Sequence, residues 1–512
     1  MQKLGMTVSP AGAPRESTRP SLRLVPDATQ PRRRVIVIGG GIAGLTAAHT
    51  LVTESQELFD ITLLEGSAEL GGKLTVSEVA GVPVDEGAES LLAVRPEAVS
   101  LVREVGLERD LVDPITTKPY LWLKDGLRPM PPSVMGVPTD LRALAAARVL
   151  PNRSLLKLPL EYRRRATRFE NDVSVGAFVE SRLGRDVVDN MVEPLLGGVY
   201  AGRADALSLE ATVPALFREL QDENSLLRAA QRTARGGSRR AGARRGPVFA
   251  GIRGGVGRLP GAVADELRLY GVDICTNTSV RSVHRVDDVW RVIVNRGEGQ
   301  EVFTAEDMVL AVPPHVASGL LAHICPPAAN DLGLIDMSSV AVVTLAYRAA
   351  DVAPMSGSGF LVPQIAGRTI KAANFASSKW NWIARAAGTR QQRDDALVLI
   401  RASVGRIGEE EALERPDRDL VSDVHADVAA AVGIATPPVD FRVTRWPDAL
   451  PQYATGHVRR VDRIRASLAG IEGLEICGAA FDGVGVAAVI GSARTAARQL
   501  LARSGAASAT AG

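Results

Sequence analysis

Val35-Ile36-Val37-Ile38-Gly39-Gly40-Gly41-Ile42-Ala43-Gly44 decides how the rest of this 512-residue chain is read. An apolar run of strand length ends in glycines where helical spacing begins, and Leu45 to Val52 carries that spacing onward. Gly39, Gly41 and Gly44 satisfy G-x-G-x-x-G. The first glycine permits a tight turn, the second lets a pyrophosphate approach the backbone, and the third lets helix pack on strand. Free N–H groups and the positive helix end then point at the anion across Gly40, Ile42 and Ala43. Arg32, Arg33 and Arg34 stand at the strand's entry.

A second apolar run, Ile61-Thr62-Leu63-Leu64, ends in Glu65. It lies about twenty residues beyond the last glycine, the distance at which an acidic side chain accepts hydrogen bonds from an adenosine ribose. The following stretch, Glu65 to Lys73 with the pair Gly71-Gly72, resembles the second glycine pair and basic residue of FAD-binding oxidoreductases of the amine-oxidase and protoporphyrinogen-oxidase type. That resemblance implies FAD rather than NAD.

The length predicts more than one domain, and 46% apolar residues suffice for large cores. A formal net charge of +2 gives no strong pull toward nucleic acid. Cys275, Cys325 and Cys477 have no metal-ligand spacing and cannot pair evenly, so neither a disulfide framework nor a metal site is expected. No apolar segment approaches membrane-spanning length, and residues 1–31 lack a signal-peptide core. A cytoplasmic protein with at most peripheral membrane contact is expected.

The pattern divides the chain into an α/β architecture. Residues 1–31 read as a disordered leader; 32–90, 249–316 and 444–505 read as a discontinuous Rossmann-type FAD-binding domain. Residues 95–211 read as a helical insertion. Residues 212–248 and 317–443 read as a mixed, mainly antiparallel substrate domain with an Arg/Gly-rich loop at 231–246, and 506–512 as a flexible tail. Strand-like pieces around Gly81-Val82-Pro83 precede Gly87-Ala88-Glu89-Ser90, where small residues suit close passage of a flavin. Trp290 to Val294 and Asp307 to Val312 read as extending the parallel sheet.

Several runs together resemble soluble bacterial protoporphyrinogen and coproporphyrinogen oxidases, from about Arg34 to Leu501. They are Gly87 to Ser90, Pro129-Met130-Pro131-Pro132 with Met135 to Thr139, Val192 to Gly202, Thr444-Arg445-Trp446-Pro447, Pro451-Gln452-Tyr453 with Gly456-His457, and Gly483 to Val486. The resemblance implies that the FAD pyrophosphate lies on Gly39 to Gly44 and the ribose on Glu65. Gly72, Lys73 and Gly87, Ala88, Glu89 and Ser90 would line the flavin side. Val280 would meet the adenine through its backbone, and Trp446 with Gly485, Val486 and Ala487 would approach the isoalloxazine. The chain departs from the family where Ala487-Ala488-Val489 replaces a proline with polar residues, and where Arg95 stands in place of a lysine.

The implied reaction is oxidation of coproporphyrinogen III to coproporphyrin III in haem biosynthesis, with O2 reoxidising the flavin to give hydrogen peroxide. Protoporphyrinogen IX is the alternative substrate. An amine oxidase or carotenoid desaturase on the same scaffold, and a non-catalytic tetrapyrrole-binding module, remain as rivals. No Ser/His/Asp arrangement or carboxylate pair marks a catalytic residue, and His457 reads either as a base or as a structural hydrogen-bond partner. Arg95 is the substrate candidate, suited to a propionate. A haem-pathway enzyme that receives the product is a further expected partner; the oligomeric state stays open.

Overall fold

The computed structural model describes residues 32–55, 59–164, 169–243, 247–297, 299–391 and 393–510. The expected leader and residues 56–58, 165–168, 244–246, 298, 392 and 511–512 lie outside them.

The first strand, Arg33–Ile38, is the centre of a five-stranded parallel sheet. Its neighbours are Phe59–Leu64 and, beyond it, Asp273–Cys275 on one side, and Asp307–Leu310 and Leu474–Ile476 on the other. One row across the sheet runs Ile274, Leu63, Val37, Val309, Glu475. Strands buried on both faces read as unbroken apolar runs, which is why Val35 to Ile38 shows no alternation. The arginines at the entry fix the register of strands remote in sequence. Arg33 forms an ion pair with the buried Asp307, and Arg34 pairs with Glu306 at 2.6 Å. The first helix, Ile42–Glu54, and the C-terminal helix, Val486–Thr510, pack together over this sheet through Leu45, Ala48, Leu51, Ile490, Ala493 and Ala497.

A second large sheet has seven strands in the order Asp440–Pro451, Met337–Arg348, Leu397–Val404, Ile370–Phe375, Gly359–Leu361, Pro119–Leu123, Gly126–Pro129. All its pairings are antiparallel except that of Gly359–Leu361 with Pro119–Leu123. Two expectations change here. The helical insertion supplies two strands to this sheet, and residues 444–451 belong to it rather than to the nucleotide layer, because Trp446 and Arg445 pair with Val340 and Ala341. Trp290 to Val294, expected to extend that layer, lies instead in a separate three-stranded antiparallel sheet of Thr278–Val286, Val289–Arg296 and Gly299–Ala305. The turn expected at Gly81-Val82-Pro83 falls one residue earlier, at Ala80-Gly81. Both adopt left-handed φ (49° and 74°), as a two-residue hairpin turn requires.

The Arg/Gly-rich segment is likewise a correction. A helix, Leu226–Ala243, occupies most of the expected loop 231–246. Its first turn buries Leu226, Leu227, Ala229 and Ala230, and the buried Glu161 carboxylate accepts from Leu226 N–H (2.7 Å), Leu227 N–H (3.3 Å) and Ser225 Oγ (2.5 Å). Arg182 neutralises that carboxylate at 2.8 Å. A long-range cap and an apolar face outweigh the low helix propensity of the glycines downstream. The tail expected to be flexible is helical as far as Thr510.

The short runs of the helical region also find a reason. A π-helical turn, Val188–Val192, bulges against the loop carrying Met135 and Gly136, whose φ values are 46° and 88°. A Cβ on Gly136 would stand 2.5 Å from the Val192 Cα, so only glycine lets the two segments touch.

Candidate functional site

The three fingerprint glycines do three different things. Gly39 has φ +110° and would place a Cβ 2.5 Å from the Ala311 carbonyl, so it makes the turn between strand and helix. Gly44 would place a Cβ 1.8 Å from the Gly39 carbonyl, so it sets the helix against that turn. At Gly41 an added Cβ meets nothing within 4 Å. Gly41 is also the N-cap of the first helix and has no side-chain cap, and Leu45 N–H to Gly41 O is the first intrahelical bond. The N–H groups of Ile42, Ala43 and Gly44 therefore have no acceptor inside the helix, and the space in front of Gly41 is open. An anion the size of a pyrophosphate fits that cradle.

Glu65 ends the second strand beside it. Its carboxylate accepts from Gly40 N–H at 2.6 Å, Ser67 N–H at 2.8 Å and Ser67 Oγ at 2.7 Å, which leaves acceptor capacity for a ribose hydroxyl. The Glu65 carbonyl takes the Thr278 N–H at 2.8 Å, and Val280 lies two residues further along that strand. The loop at Gly71-Gly72 folds back over the cradle: Gly71 N–H donates to Gly40 O at 2.9 Å, and Gly72 would place a Cβ 3.6 Å from the Gly41 Cα.

Lys73 and Gly87 meet backbone to backbone, since a Cβ on Gly87 would lie 1.9 Å from the Lys73 carbonyl. Lys73 is exposed by area, yet the atoms crowded around its ammonium hold its pKa below the ordinary range, an effect that the Asp448 carboxylate opposes. Trp446 closes the other side, donating its indole N–H to the Glu86 carbonyl at 3.0 Å. Ala88, Val486 and Ala487 share one apolar cluster with Ala43, so the glycine-rich turn before the C-terminal helix comes to the same place.

Glu89 is where the structure adds most. Its carboxylate turns away from the cleft and into the antiparallel sheet, where it accepts from Lys379 Nζ (2.5 Å), from Arg401 (2.7 Å) and from the Asn374 amide. Burial by itself would raise its pKa, but the Lys379 and Arg401 charges hold it below the usual range. Arg401 also donates to the Gly87 carbonyl at 2.8 Å, so one guanidinium supports the whole loop. Arg401 and Asn374 carry no local sequence signal. Asp85, at the end of the preceding strand, was equally silent: it accepts from Gly257 N–H at 2.9 Å, and burial pushes its pKa from 3.8 up to about 6.

Asp85 has a measurable consequence. An acid whose folded pKa is raised binds its proton more tightly when folded, so the cost is small below about pH 4, grows between pH 4 and 6, and is complete above that. Between pH 4 and 7 the wild type should lose up to roughly 3 kcal/mol from this group. Asp85→Asn should abolish that component of the slope, measured as urea midpoints across the range. An unchanged slope would mean that Asp85 titrates normally.

Arg95 caps the helix Pro96–Glu104, is exposed, and has no ion-pair partner among the described residues. It lines a cavity of about 490 Å³ together with Glu97, Asp482, Ala488 and Arg494. Its charge also counters the burial that pushes the Tyr200 phenol up to about 12. The other basic and aromatic candidates are structural. Arg445 is committed to the Leu413 and Arg415 carbonyls and to Asp417. His457 is buried with its Nε2 2.9 Å from the Ala480 carbonyl, and burial lowers its pKa to about 4. Because a carbonyl only accepts, Nε2 carries the proton and cannot take another, which removes His457 as a base through that nitrogen. Cys477 is fully buried with its thiol pushed up to about 12, inert rather than reactive. Among the described residues, no group of His, Cys, Asp and Glu could hold a metal, and no helix is long and apolar enough to cross a membrane.

Comparison with known proteins bears on the same cleft. Residues 42–501 match the family described as flavin containing amine oxidoreductase. A coproporphyrinogen III oxidase from Mycobacterium bovis is 33% identical, covering 90% of this chain and 96% of its own length. One of the same name from Bacillus subtilis is 29% identical, with 89% and 95% covered. Among solved structures, a protein from Exiguobacterium provisionally assigned as a protoporphyrinogen oxidase superposes with a TM-score of 0.79 at 28% identity, over 92% of this chain and 99% of its own. Cyclohexylamine oxidase from Brevibacterium oxydans, at 15% identity and a TM-score of 0.64, shares the fold. With an open anion cradle at Gly41 and a family match over residues 42–501, this chain belongs to the flavin-containing amine oxidoreductase family.

Proposed function

We propose that this protein oxidises coproporphyrinogen III to coproporphyrin III in haem biosynthesis, with FAD as its cofactor and O2 as the final acceptor, giving hydrogen peroxide. The observation that carries the reading is the Arg95 guanidinium, which has no ion-pair partner among the described residues and lines a cavity with Asp482 and Ala488, on either side of the glycine-rich turn before the C-terminal helix. The relatives named coproporphyrinogen III oxidase support the substrate.

In this reading Gly39 to Gly44 hold the pyrophosphate, Glu65 the ribose, and Val280 the adenine. Gly72, Lys73, Gly87 to Ser90, Trp446 and Gly485 to Ala487 border the isoalloxazine. FAD, when bound, supplies the hydride acceptor. The chain's own part is geometric. Arg95 binds a propionate, the antiparallel sheet and the helical region exclude water, and rigid support of the Gly87 loop by Arg401 and Trp446 keeps the reacting faces at a fixed separation. The Lys73 ammonium stands ready to offset negative charge that develops in the cleft.

The test is anaerobic bleaching of the bound flavin by coproporphyrinogen III and protoporphyrinogen IX side by side, followed by porphyrin fluorescence on admitting air. Faster bleaching by the tetrapropionate is expected, and a preference for the divinyl substrate would move the assignment to protoporphyrinogen IX. Arg95→Ala should raise KM for coproporphyrinogen III about tenfold, the value of one charge-assisted bond, while kcat changes little. An unchanged KM would remove Arg95 from the substrate site. If neither porphyrinogen bleaches the flavin, amines and carotenoids are the next substrates.

A further inference from the structure

The connection between the last parallel strand, Leu474–Ile476, and the C-terminal helix is a glycine-rich segment, and side chains from outside it fix its path. Gly478 and Gly483 have φ of +135° and +129°, so the backbone there has little intrinsic stiffness. Tyr453 supplies the stiffness. Its buried hydroxyl donates to the Ala479 carbonyl at 2.6 Å and accepts the Gly483 N–H at 2.8 Å. His457 adds a third tie, Nε2–H to the Ala480 carbonyl at 2.9 Å, and its ring stacks on Tyr453 with centroids 3.9 Å apart and planes at 17°. Three backbone groups of one short segment are thus held by two stacked rings.

Those rings are anchored elsewhere in turn. The Tyr453 carbonyl accepts the Ser208 N–H at 2.8 Å, Gly456 N–H donates to Asp172 at 2.7 Å, and Gln452 Nε2 donates to the Tyr200 carbonyl at 2.8 Å. The segment before the C-terminal helix is therefore referenced to the helical region. Both rings stay uncharged at neutral pH, since burial lowers the His457 pKa to about 4 and raises the Tyr453 pKa above its ordinary value.

We propose that Tyr453 and His457 are positioning residues that set the aim of the C-terminal helix at Gly485 to Ala487, and through it the reduction potential of the bound flavin. The proposal rests on the reading that this turn borders the isoalloxazine. The start of a helix offers free N–H donors and a partial positive charge, which favour negative charge nearby; their effect depends on orientation and falls off within a turn. A cofactor that gains negative charge on reduction is stabilised in that form only while the helix end points at it. Neither ring touches substrate in this arrangement.

The test is the flavin midpoint potential of the holoprotein, measured by equilibration with a reference dye, with no porphyrinogen present. Tyr453→Phe keeps the ring and the stack but loses both hydroxyl bonds. It should weaken stabilisation of the reduced form about tenfold, a shift of about 30 mV to more negative potential. The value of kcat should fall, with KM unchanged. His457→Leu should shift the potential in the same direction, and His457→Gln, whose amide N–H reaches the same carbonyl, should restore it. If Tyr453→Phe and His457→Leu melt earlier yet keep the wild-type midpoint, the pair is merely structural and the proposal fails. If wild-type holoprotein shows the flavin but neither porphyrinogen reduces it, the substrate reading fails while the midpoint comparison still stands. A wild-type chain that retains no flavin would overturn both.

Discussion

Gly41→Val is expected to leave a folded protein that no longer retains flavin. The backbone at Gly41 has φ −71° and ψ 176°, ordinary values for any residue, and a Cβ there meets nothing within 4 Å. The valine methyls enter the space in front of the first helix, where a pyrophosphate would lie against the N–H groups of Ile42, Ala43 and Gly44. Flavin affinity should fall by about 100-fold or more, equivalent to about 2.7 kcal/mol, while the melting temperature of the flavin-free protein stays within a degree or two of wild type. Gly44→Val is the contrasting control. Its Cβ would sit 1.8 Å from the Gly39 carbonyl, so strand and helix must separate and the fold itself should be lost. Flavin absorbance after desalting, with circular dichroism of the stripped protein, distinguishes the two. A Gly41→Val protein that keeps stoichiometric flavin would show that the cradle binds something else.

The second large effect concerns Glu89. Glu89→Ala leaves Lys379 and Arg401 buried without their shared carboxylate, and one partner of such a group is costly to remove, by about 3–5 kcal/mol. Exposure of the three side chains is 12%, 12% and 7%, too little for water to replace the lost partner. Glu89→Gln, which keeps an acceptor, should lose less. The sign of the pH dependence is opposite to that of Asp85. A carboxylate held below its ordinary pKa contributes stability that is complete above about pH 5 and lost as the pH falls through the folded value. Urea midpoints at pH 7 and pH 4.5 test this. A loss below 1 kcal/mol at pH 7 would mean that Lys379 and Arg401 find other acceptors. Flavin retention should weaken with stability, because Arg401 holds both Glu89 and the Gly87 carbonyl.

The two substitutions mark the boundary between local and remote information. Sequence alone determined what depends on one residue's sterics or on a short spacing. Gly39 needs a positive φ, Gly44 needs the absence of a Cβ, and Glu65 follows directly on the second strand. Val35 to Ile38 announced a strand buried on both faces, and the late runs around Trp446, Tyr453 and Gly483 carried the family resemblance. Where a segment's fate hung on a distant partner, the local pattern misled. Gln231 to Ala243 has the composition of a loop, yet it is helical because Glu161, across the helical region, caps its start and an apolar face covers Leu226 to Ala230. Pro119–Leu123 became a sheet strand because Gly359–Leu361 offered it an edge. Arg401 reaches Glu89 across 312 residues, and no spacing rule spans that distance. Steric limits on φ and on Cβ act within a few residues and are written into the chain. The pairing of buried charges exists only once packing has removed water and brought the partners together, so the tertiary structure alone decided how the Gly87 loop is held.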